Sequence, residues 1–382
     1  MAGLSSMPSS RADVRRGARF DVWLALSTVL LIVIGLMSLY SEGISRDGGA
    51  DFRKQIVFTA IGLGPFLLFA VIHPNIWRKG AAILYGVNIA SLTAVLIFGS
   101  KKKGADRWIE FGSIQVQPSE MAKLLTILTL AAFFAANQET IRKPSTFVMS
   151  FVHILPPLAL ILMQPHLGAA MVIVVSWFAV ALVAGCRMRH IAIAFCAFAL
   201  LAGSVLTIPA VASKVLMGYQ DKRVIGLTSA TGRDARNLNW QTDRAEIAFG
   251  MGGVLGSGFL KGEQKAGHFI PEQHNDFVFT IVGEEGGLIG CTMVLAAFGF
   301  FFYRVWLVMF LATEPFYKMT AGGILAALFF HTFVNIAMVL HLVPVVGLWL
   351  PFLSYGGTAM WLCMACVGLL INLRRRERPL LF

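Results

Sequence analysis

Runs of about 20 apolar residues recur from one end of this chain to the other, each long enough to cross a bilayer core of about 30 Å as a helix. Inside lipid, every backbone N–H and C=O must find a partner within its own segment, so such a chain folds as a helix bundle. Reading the runs against their polar breaks predicts ten spans. They fall near 21–40, 55–72, 81–99, 120–137, 146–163, 167–185, 191–210, 277–303, 320–341 and 345–373. Composition agrees: 57% hydrophobic against 14% charged residues leaves too little polar surface for a soluble globule. The expected fold is an all-α polytopic membrane protein, one integral membrane domain over 1–382. A large extracytoplasmic loop, 211–276, separates spans seven and eight. A disulfide scaffold, a disordered chain and a soluble nucleotide-binding domain are excluded. Cys363 and Cys366 form a C-x-x-C within the last span, without the second pair or soluble context that metal or redox chemistry needs.

Positive charge sets the expected orientation. Arg11, Arg15, Arg16 and Arg19 precede the first span, and Arg374, Arg375, Arg376 and Arg378 follow the tenth. Arg78/Lys79, Arg142/Lys143, Arg187/Arg189 and Arg304/Lys318 occupy alternate connections between them. With ten spans all these sets share one face, which the positive-inside rule makes cytoplasmic, together with the tails 1–20 and 374–382. The first span lacks an A-x-A cleavage site and reads as an uncleaved signal anchor. The net charge of +12 therefore points to membrane lipids and not to nucleic acid. Two connections on the opposite face are also basic: Lys101–Lys103 within 100–119, and the long loop. They either face anionic headgroups or hold cations over a phosphate-bearing lipid substrate.

No G-x-x-x-x-G-K-[ST], H-E-x-x-H, paired C-x-x-C or G-x-S-x-G is present, which sets aside an ATPase, a zinc enzyme and a serine hydrolase. Three stretches carry chemistry instead. In Gln117-Pro-Ser-Glu-Met-Ala-Lys123, Pro118 suits a first helical position, and Glu120 and Lys123 are neighbours on one helix face. That pair is either a local ion pair at a capped helix start or a charged pair at the floor of an outward cavity. In Pro271-Glu-Gln-His-Asn-Asp276, the aspartate stands where the long loop enters span eight, as a helix cap or as a general base. Gly283 and Gly287 share its helical face, and one of Glu284 and Glu285, set deeper, pairs inside the bundle. In Gly347-Leu-Trp-Leu-Pro-Phe-Leu-Ser-Tyr-Gly-Gly-Thr358, Pro351, Gly356 and Gly357 interrupt an apolar run, predicting a broken or kinked tenth helix. His166 and His331 read as hydrogen-bonded core residues more readily than as a proton relay.

Six stretches in order resemble the SEDS family of peptidoglycan polymerases. They are Lys103-Gly-Ala-Asp-Arg-Trp108, Gln117 to Lys123, Gln164-Pro-His-Leu-Gly168, Tyr219-Gln-Asp-Lys-Arg223, Pro271 to Phe279 and Leu353-Ser-Tyr-Gly-Gly357. Each is weak alone, and together they cover almost the whole chain. The Lys-Gly-Ala-x-Arg-Trp form and the short tails look more like the family's elongation branch than its division branch. The resemblance implies a multi-pass protein of the bacterial inner membrane that polymerises lipid II at the outer leaflet beside a class B penicillin-binding protein. It places Asp276 on the family's essential aspartate, and Arg107, Glu120 and Lys123 on charged positions near the cavity. Trp108, Gln117, Ser119, Tyr219, Arg223, Arg244 and Ser354 join these as substrate-binding candidates. There are departures: His166 stands for an aspartate, Arg244-Ala245 for Gln-Ser, His341 for a glycine and Trp349 for a proline.

The expected chemistry is an inverting displacement, in which Asp276 takes the proton of an acceptor hydroxyl. Arg107, Lys123, Arg223 and Arg244 would stabilise the departing lipid diphosphate. No cofactor is required by the sequence, and a divalent cation, Mg or Mn, is left open. The rival readings are a flippase for the same lipid, or a non-catalytic cell-wall scaffold.

Overall fold

The computed structural model describes residues 20–46, 48–102, 105–111, 114–207, 233–267, 269–270, 273–343 and 345–377. The first six helices are α1 (Val22–Arg46), α2 (Ala50–Val71), the short α3 (Pro74–Lys79), α4 (Ala81–Phe98), α5 (Pro118–Ala136) and α6 (Pro144–Met163). After them come α7 (Leu167–Ala184), α8 (Met188–Thr207), α9 (Arg233–Gly252), the single-turn α10 (Glu263–Ala266), α11 (Val278–Leu311), α12 (Pro315–Val339) and α13 (Gly357–Arg376). Among the described residues nine of these are long and apolar enough to cross a membrane, and α8 adds a shorter apolar stretch over Met188–Leu201. The chain is a polytopic helical membrane protein. Pro118, Pro144 and Pro315 each open a helix, where the missing N–H costs nothing. Asp21 accepts the Leu24 N–H at 3.0 Å to start α1, and also pairs with Arg304 of α11 at 2.8 Å.

The helices sort into centre and rim. In α13, 89% of the apolar window is buried, against 17% in α2 and in α4, whose remaining faces meet lipid. α13 lies against α2 so closely that a Cβ at Gly368 would stand 2.2 Å from the Phe66 carbonyl oxygen. The Asn372 amide donates to the Phe69 carbonyl at 2.8 Å and the Ile72 carbonyl at 2.5 Å, and so closes the last turn of α2. α12 approaches α7 and α5 through Gly322 and Gly323, where side chains would collide with Val183, Val180 and Ile127.

Three features depart from the sequence expectation. The third connection contains a three-stranded antiparallel sheet, β1 (Ser100–Lys102), β2 (Ala105–Phe111) and β3 (Ile114–Val116). Lys101 pairs with Asp106 and Ile109 with Val116, with a bulge at Ser100/Lys101. Extended β-branched and aromatic residues outside lipid permit strands that the apolar pattern cannot announce. The tenth span is helical only from Gly357, and 345–356 is non-helical: Pro351 has no N–H, and Phe352 takes a φ of 65°. Lastly, α11 has 34 residues, about 51 Å of helix, far more than a bilayer core of about 30 Å requires.

α11 breaks at Gly287, with φ 59° and ψ −158°. The chain after α9 docks into the break, where the Leu288 N–H donates to the Gly253 carbonyl at 2.9 Å and Ile289 N–H to Val254 at 3.2 Å. A Cβ at Gly287 would stand 2.4 Å from Gly256 N, so this close approach needs glycine. Glu285 does pair in the interior, with the buried Lys265 of the long loop, and it also accepts from Ser41 of the spanning helix α1. Glu284 accepts the Gln264 N–H of α10 at 2.7 Å.

Replacing Gly368 by Ala should lower stability in detergent by about 2–3 kcal/mol, since a backbone carbonyl would have to move. Gly86→Ala, whose Cβ meets no atom within 4 Å, should be neutral or stabilising by up to about 1 kcal/mol. Thermal unfolding of both variants checks the contrast; equal effects would refute the close α2–α13 contact.

Candidate active site

The α5 start places Glu120 and Lys123 one turn apart, both 2% exposed. Lys123 Nζ donates to Glu120 Oε1 at 2.9 Å and Oε2 at 2.8 Å. Its third donor meets His331 Nε2 of α12 at 3.0 Å. An ammonium only donates, so Nε2 accepts, and His331 Nδ1–H donates to the Trp349 carbonyl at 3.3 Å. The His331 ring is therefore neutral and stacks on the Trp349 indole with centroids 4.0 Å apart. The indole N–H returns to Glu120 Oε2 at 2.9 Å, which closes a ring of interactions through Trp349. The pair is thus an interior frame, not an open cavity floor. A phosphate could reach Lys123 only by displacing Glu120.

A second group gathers at the turn between α6 and α7. Arg107 on β2 donates through Nε to the Gln164 carbonyl at 3.0 Å and through a terminal nitrogen to the Pro165 carbonyl, meeting the α6 C-terminus with positive charge. His166 Nδ1 accepts from Gln117 Nε2 at 3.3 Å and lies 3.2 Å from Ser119 Oγ. The Gln117 N–H donates to Thr358 Oγ1 at 3.1 Å, and that hydroxyl donates to the Gln115 carbonyl at 3.3 Å, tying β3 to α13. Trp108 follows Arg107 on β2, paired in register with Ser100, and is half-buried.

Asp276 occupies the turn that leads into α11, half-buried, one residue before the buried Phe277. Asn335 of α12 fixes its main chain, donating to the Asp276 carbonyl at 2.8 Å and to the Leu348 carbonyl at 2.7 Å. The neighbouring His274 carbonyl accepts the Tyr355 N–H at 2.9 Å, and Arg46 donates to His274 Nδ1 at 2.5 Å. Arg46 also pairs with Glu42 at 3.1 Å and with Asp51, so a charged cluster from the end of α1 and the start of α2 stands beside the aspartate turn. Ser354 Oγ accepts the Leu350 N–H at 2.8 Å, capping the turn that carries Trp349.

The structure therefore joins Gln117, Ser119, Glu120 and Lys123 in one connected interior, with Arg107 and Ser354 on its borders and Asp276 linked to it through Asn335. Arg244 stands apart, on α9, with its guanidinium 4.2 Å from the Trp240 ring centroid and 4.9 Å from that of Phe269. Tyr219 and Arg223 lie outside the described residues. Sequence reasoning missed Arg46, Glu42 and Asn335. The i,i+4 spacing of Glu42 and Arg46 at the end of a span was a usable sign, while nothing in the sequence marks Asn335. Among the described residues no three His, Cys, Asp or Glu side chains converge as a metal site.

Breaking the buried pair by Glu120→Gln or Lys123→Met alone should cost about 3–5 kcal/mol, because each leaves an uncompensated charge. The double variant should recover much of that loss. Denaturant unfolding in detergent reads the cycle, and additive losses would show the charges to be uncoupled.

A family profile described as FtsW/RodA/SpoVE, cell cycle protein, matches residues 18–379. The peptidoglycan glycosyltransferase MrdB of Escherichia coli K12 is 33% identical over 356 residues, 92% of this chain and 94% of the relative. A probable peptidoglycan glycosyltransferase FtsW of Trichlorobacter lovleyi is 32% identical over 368 residues, 94% of each chain. Among solved structures, a chain of a peptidoglycan synthase complex that coordinates polymerization and crosslinking superposes with a TM-score of 0.78 at 26% identity, over 94% of this chain and 99% of that one. RodA of Thermus thermophilus superposes with a TM-score of 0.68 at 25% identity, over 94% and 98%. The chain belongs to the FtsW/RodA/SpoVE, or SEDS, family of membrane glycosyltransferases.

Proposed function

We propose that this protein polymerises lipid II into glycan strands at the outer leaflet of the bacterial inner membrane, with Asp276 as general base, and that it serves cell elongation. One observation carries the reading. The only carboxylate of the Pro271–Phe279 stretch within the described residues, Asp276, sits on a turn that Asn335 and Tyr355 hold against the broken segment 345–356. A base on a fixed turn, with apolar helices around it for a lipid tail, suits transfer from a lipid-linked donor.

Forming a β-1,4 bond from an α-linked diphosphate sugar inverts the anomeric centre, which calls for one displacement. The acceptor hydroxyl oxygen forms the new bond to the anomeric carbon as the carbon–oxygen bond to the diphosphate breaks. The hydroxyl proton passes to the Asp276 carboxylate, and the lipid diphosphate leaves with the electron pair. Arg107, on the border of the interior, and Arg223 supply the positive charge this departure needs, while Arg244 stands apart on α9. Lys123, already neutralised by Glu120, supports the frame instead. The diphosphate itself provides the driving force, in keeping with a chain that has no P-loop.

The reading includes both termini on the cytoplasmic face, supported by the basic sets in alternate connections. It also includes a class B penicillin-binding protein as partner, supported by the likeness to a synthase complex. The relatives carry both division and elongation names, and the elongation role rests on the Lys-Gly-Ala-x-Arg-Trp form.

Purified with its cognate class B partner and a transpeptidase-blocking antibiotic, the wild type should build polymer from lipid II in detergent. Asp276→Asn, a near-isosteric change, should lose about 10²–10⁴-fold in rate. Polymer from both proteins would remove Asp276 from the base role. Polymer from neither, in a correctly assembled complex, would refute the polymerase.

A further inference from the structure

A cavity of about 400 Å³ opens at the junction of the α5–α6 and α7–α8 connections, remote from Asp276 in the chain and on the face assigned above to the cytoplasm. Its walls are Arg142, Gly185, Cys186, Arg187, Met188 and Arg189. Gly185, at φ 92°, ends α7 and turns the chain so that α8 begins three residues later at Met188, which brings Arg187 and Arg189 opposite Arg142. None of the three guanidiniums has an ion pair or a side-chain hydrogen bond within the described residues. Burial pushes the Cys186 thiol up to about 11, so it stays protonated at neutral pH and adds no compensating negative charge. The acid of the same connection, Glu139, is exposed and pairs with none of them. The N-termini of α6 and α8 point their partial positive charge at the same region.

All three arginines are exposed, as arginines that served only to orient the chain would also be. Here two separate connections bring them to one concavity, and an arginine fork matches phosphate oxygens two at a time. Apolar surface adjoins: Leu182, one turn earlier in α7, is 52% exposed, and Met188 and Ile193 on α8 are 62% and 69% exposed. We propose that this cavity is a phosphate-binding site formed by Arg142, Arg187 and Arg189, which takes the headgroup of an anionic phospholipid while its acyl chains lie along α7 and α8.

The test is native mass spectrometry of the full-length protein in detergent, titrated with phosphatidylglycerol, with phosphatidylcholine of the same acyl chains, and with inorganic phosphate. Wild type should hold phosphatidylglycerol on the order of tenfold more tightly than phosphatidylcholine. Arg142→Gln/Arg187→Gln/Arg189→Gln should abolish the preference. The control Lys318→Gln/Arg374→Gln/Arg375→Gln, which removes equal charge from the same face at residues that do not line the cavity, should keep it. Displacement of phosphatidylglycerol by millimolar inorganic phosphate, dependent on the three arginines, would support the site and show that the phosphate alone suffices. Equal binding of both lipids with no effect of phosphate would overturn the proposal. So would a preference that survives in the cavity variant, or one lost equally in the control. Matching thermal unfolding of the two triple variants excludes a folding defect as the cause, and single Arg142→Gln should already weaken phosphatidylglycerol several-fold.

Discussion

An ammonium and a carboxylate removed from water cost several kcal/mol each and recover it only where the geometry is complete. Glu120 and Lys123 meet that condition through their neighbours. Lys123 has three N–H donors, and the two oxygens of Glu120 and Nε2 of His331 take all of them. Glu120 receives a further bond from the Trp349 indole. The requirement therefore fixes three parts of the chain at once: α5, which carries the pair, α12, which carries His331, and the non-helical segment, which carries Trp349. Moving any one strands a buried polar group, so the pair sets the relative position of elements that apolar contact alone would let slide.

The non-helical segment poses a second version of the same problem, because its backbone sits among spanning helices without a helix's own bonds. Side chains from elsewhere supply them. Asn335 covers the Leu348 carbonyl and His331 the Trp349 carbonyl. Ser354 covers the Leu350 N–H, and Gln55 reaches from α2 to the Gly356 N–H at 3.0 Å. Broken helices persist at membrane depth only with such replacements. Asp276 gains its place from this arrangement, since the same Asn335 amide holds its carbonyl and Tyr355, two residues before α13, holds His274. The aspartate is thus positioned by a network that begins at a pair on α5, well before it in sequence.

Much of the bundle was legible because apolar period and length report directly on helices in lipid. The first seven spans and the ninth lie within a few residues of their helices, and Pro118 opens α5 as its position suggested. The break near Pro351 was legible as a break but not in its extent: proline and glycine signal where a helix stops, while the bonds that let 345–356 stay non-helical come from side chains on α12, from Ser354 and from Gln55 of α2. The sheet carrying Arg107 escaped for a different reason, since strands of three residues leave no readable alternation. At the site, type and spacing identified Glu120 with Lys123. Partners contributed by other helices, Asn335 and His331 with a defined tautomer, follow from packing that no local pattern encodes.

The departures from the family's pattern obey the same accounting. His341, at a position where the resemblance gives glycine, adopts φ 61° and so keeps a turn that glycine enters freely. A non-glycine residue there costs of order 1 kcal/mol or more, and its Nε2 lies 3.3 Å from Thr242 Oγ1, a bond that offsets part of that cost. Trp349, in place of a proline, supplies the indole N–H that completes the shell of Glu120. His166, in place of an aspartate, still accepts from Gln117 beside Ser119, yet a histidine can donate as well, which an ionised aspartate cannot. In each exchange a polar atom that the new side chain brings finds a partner within the fold. A frame built on hydrogen-bond completeness constrains how many donors and acceptors surround the pair more tightly than which side chains provide them. Variation can therefore enter the shell around the site while the turn carrying Asp276 keeps its anchors.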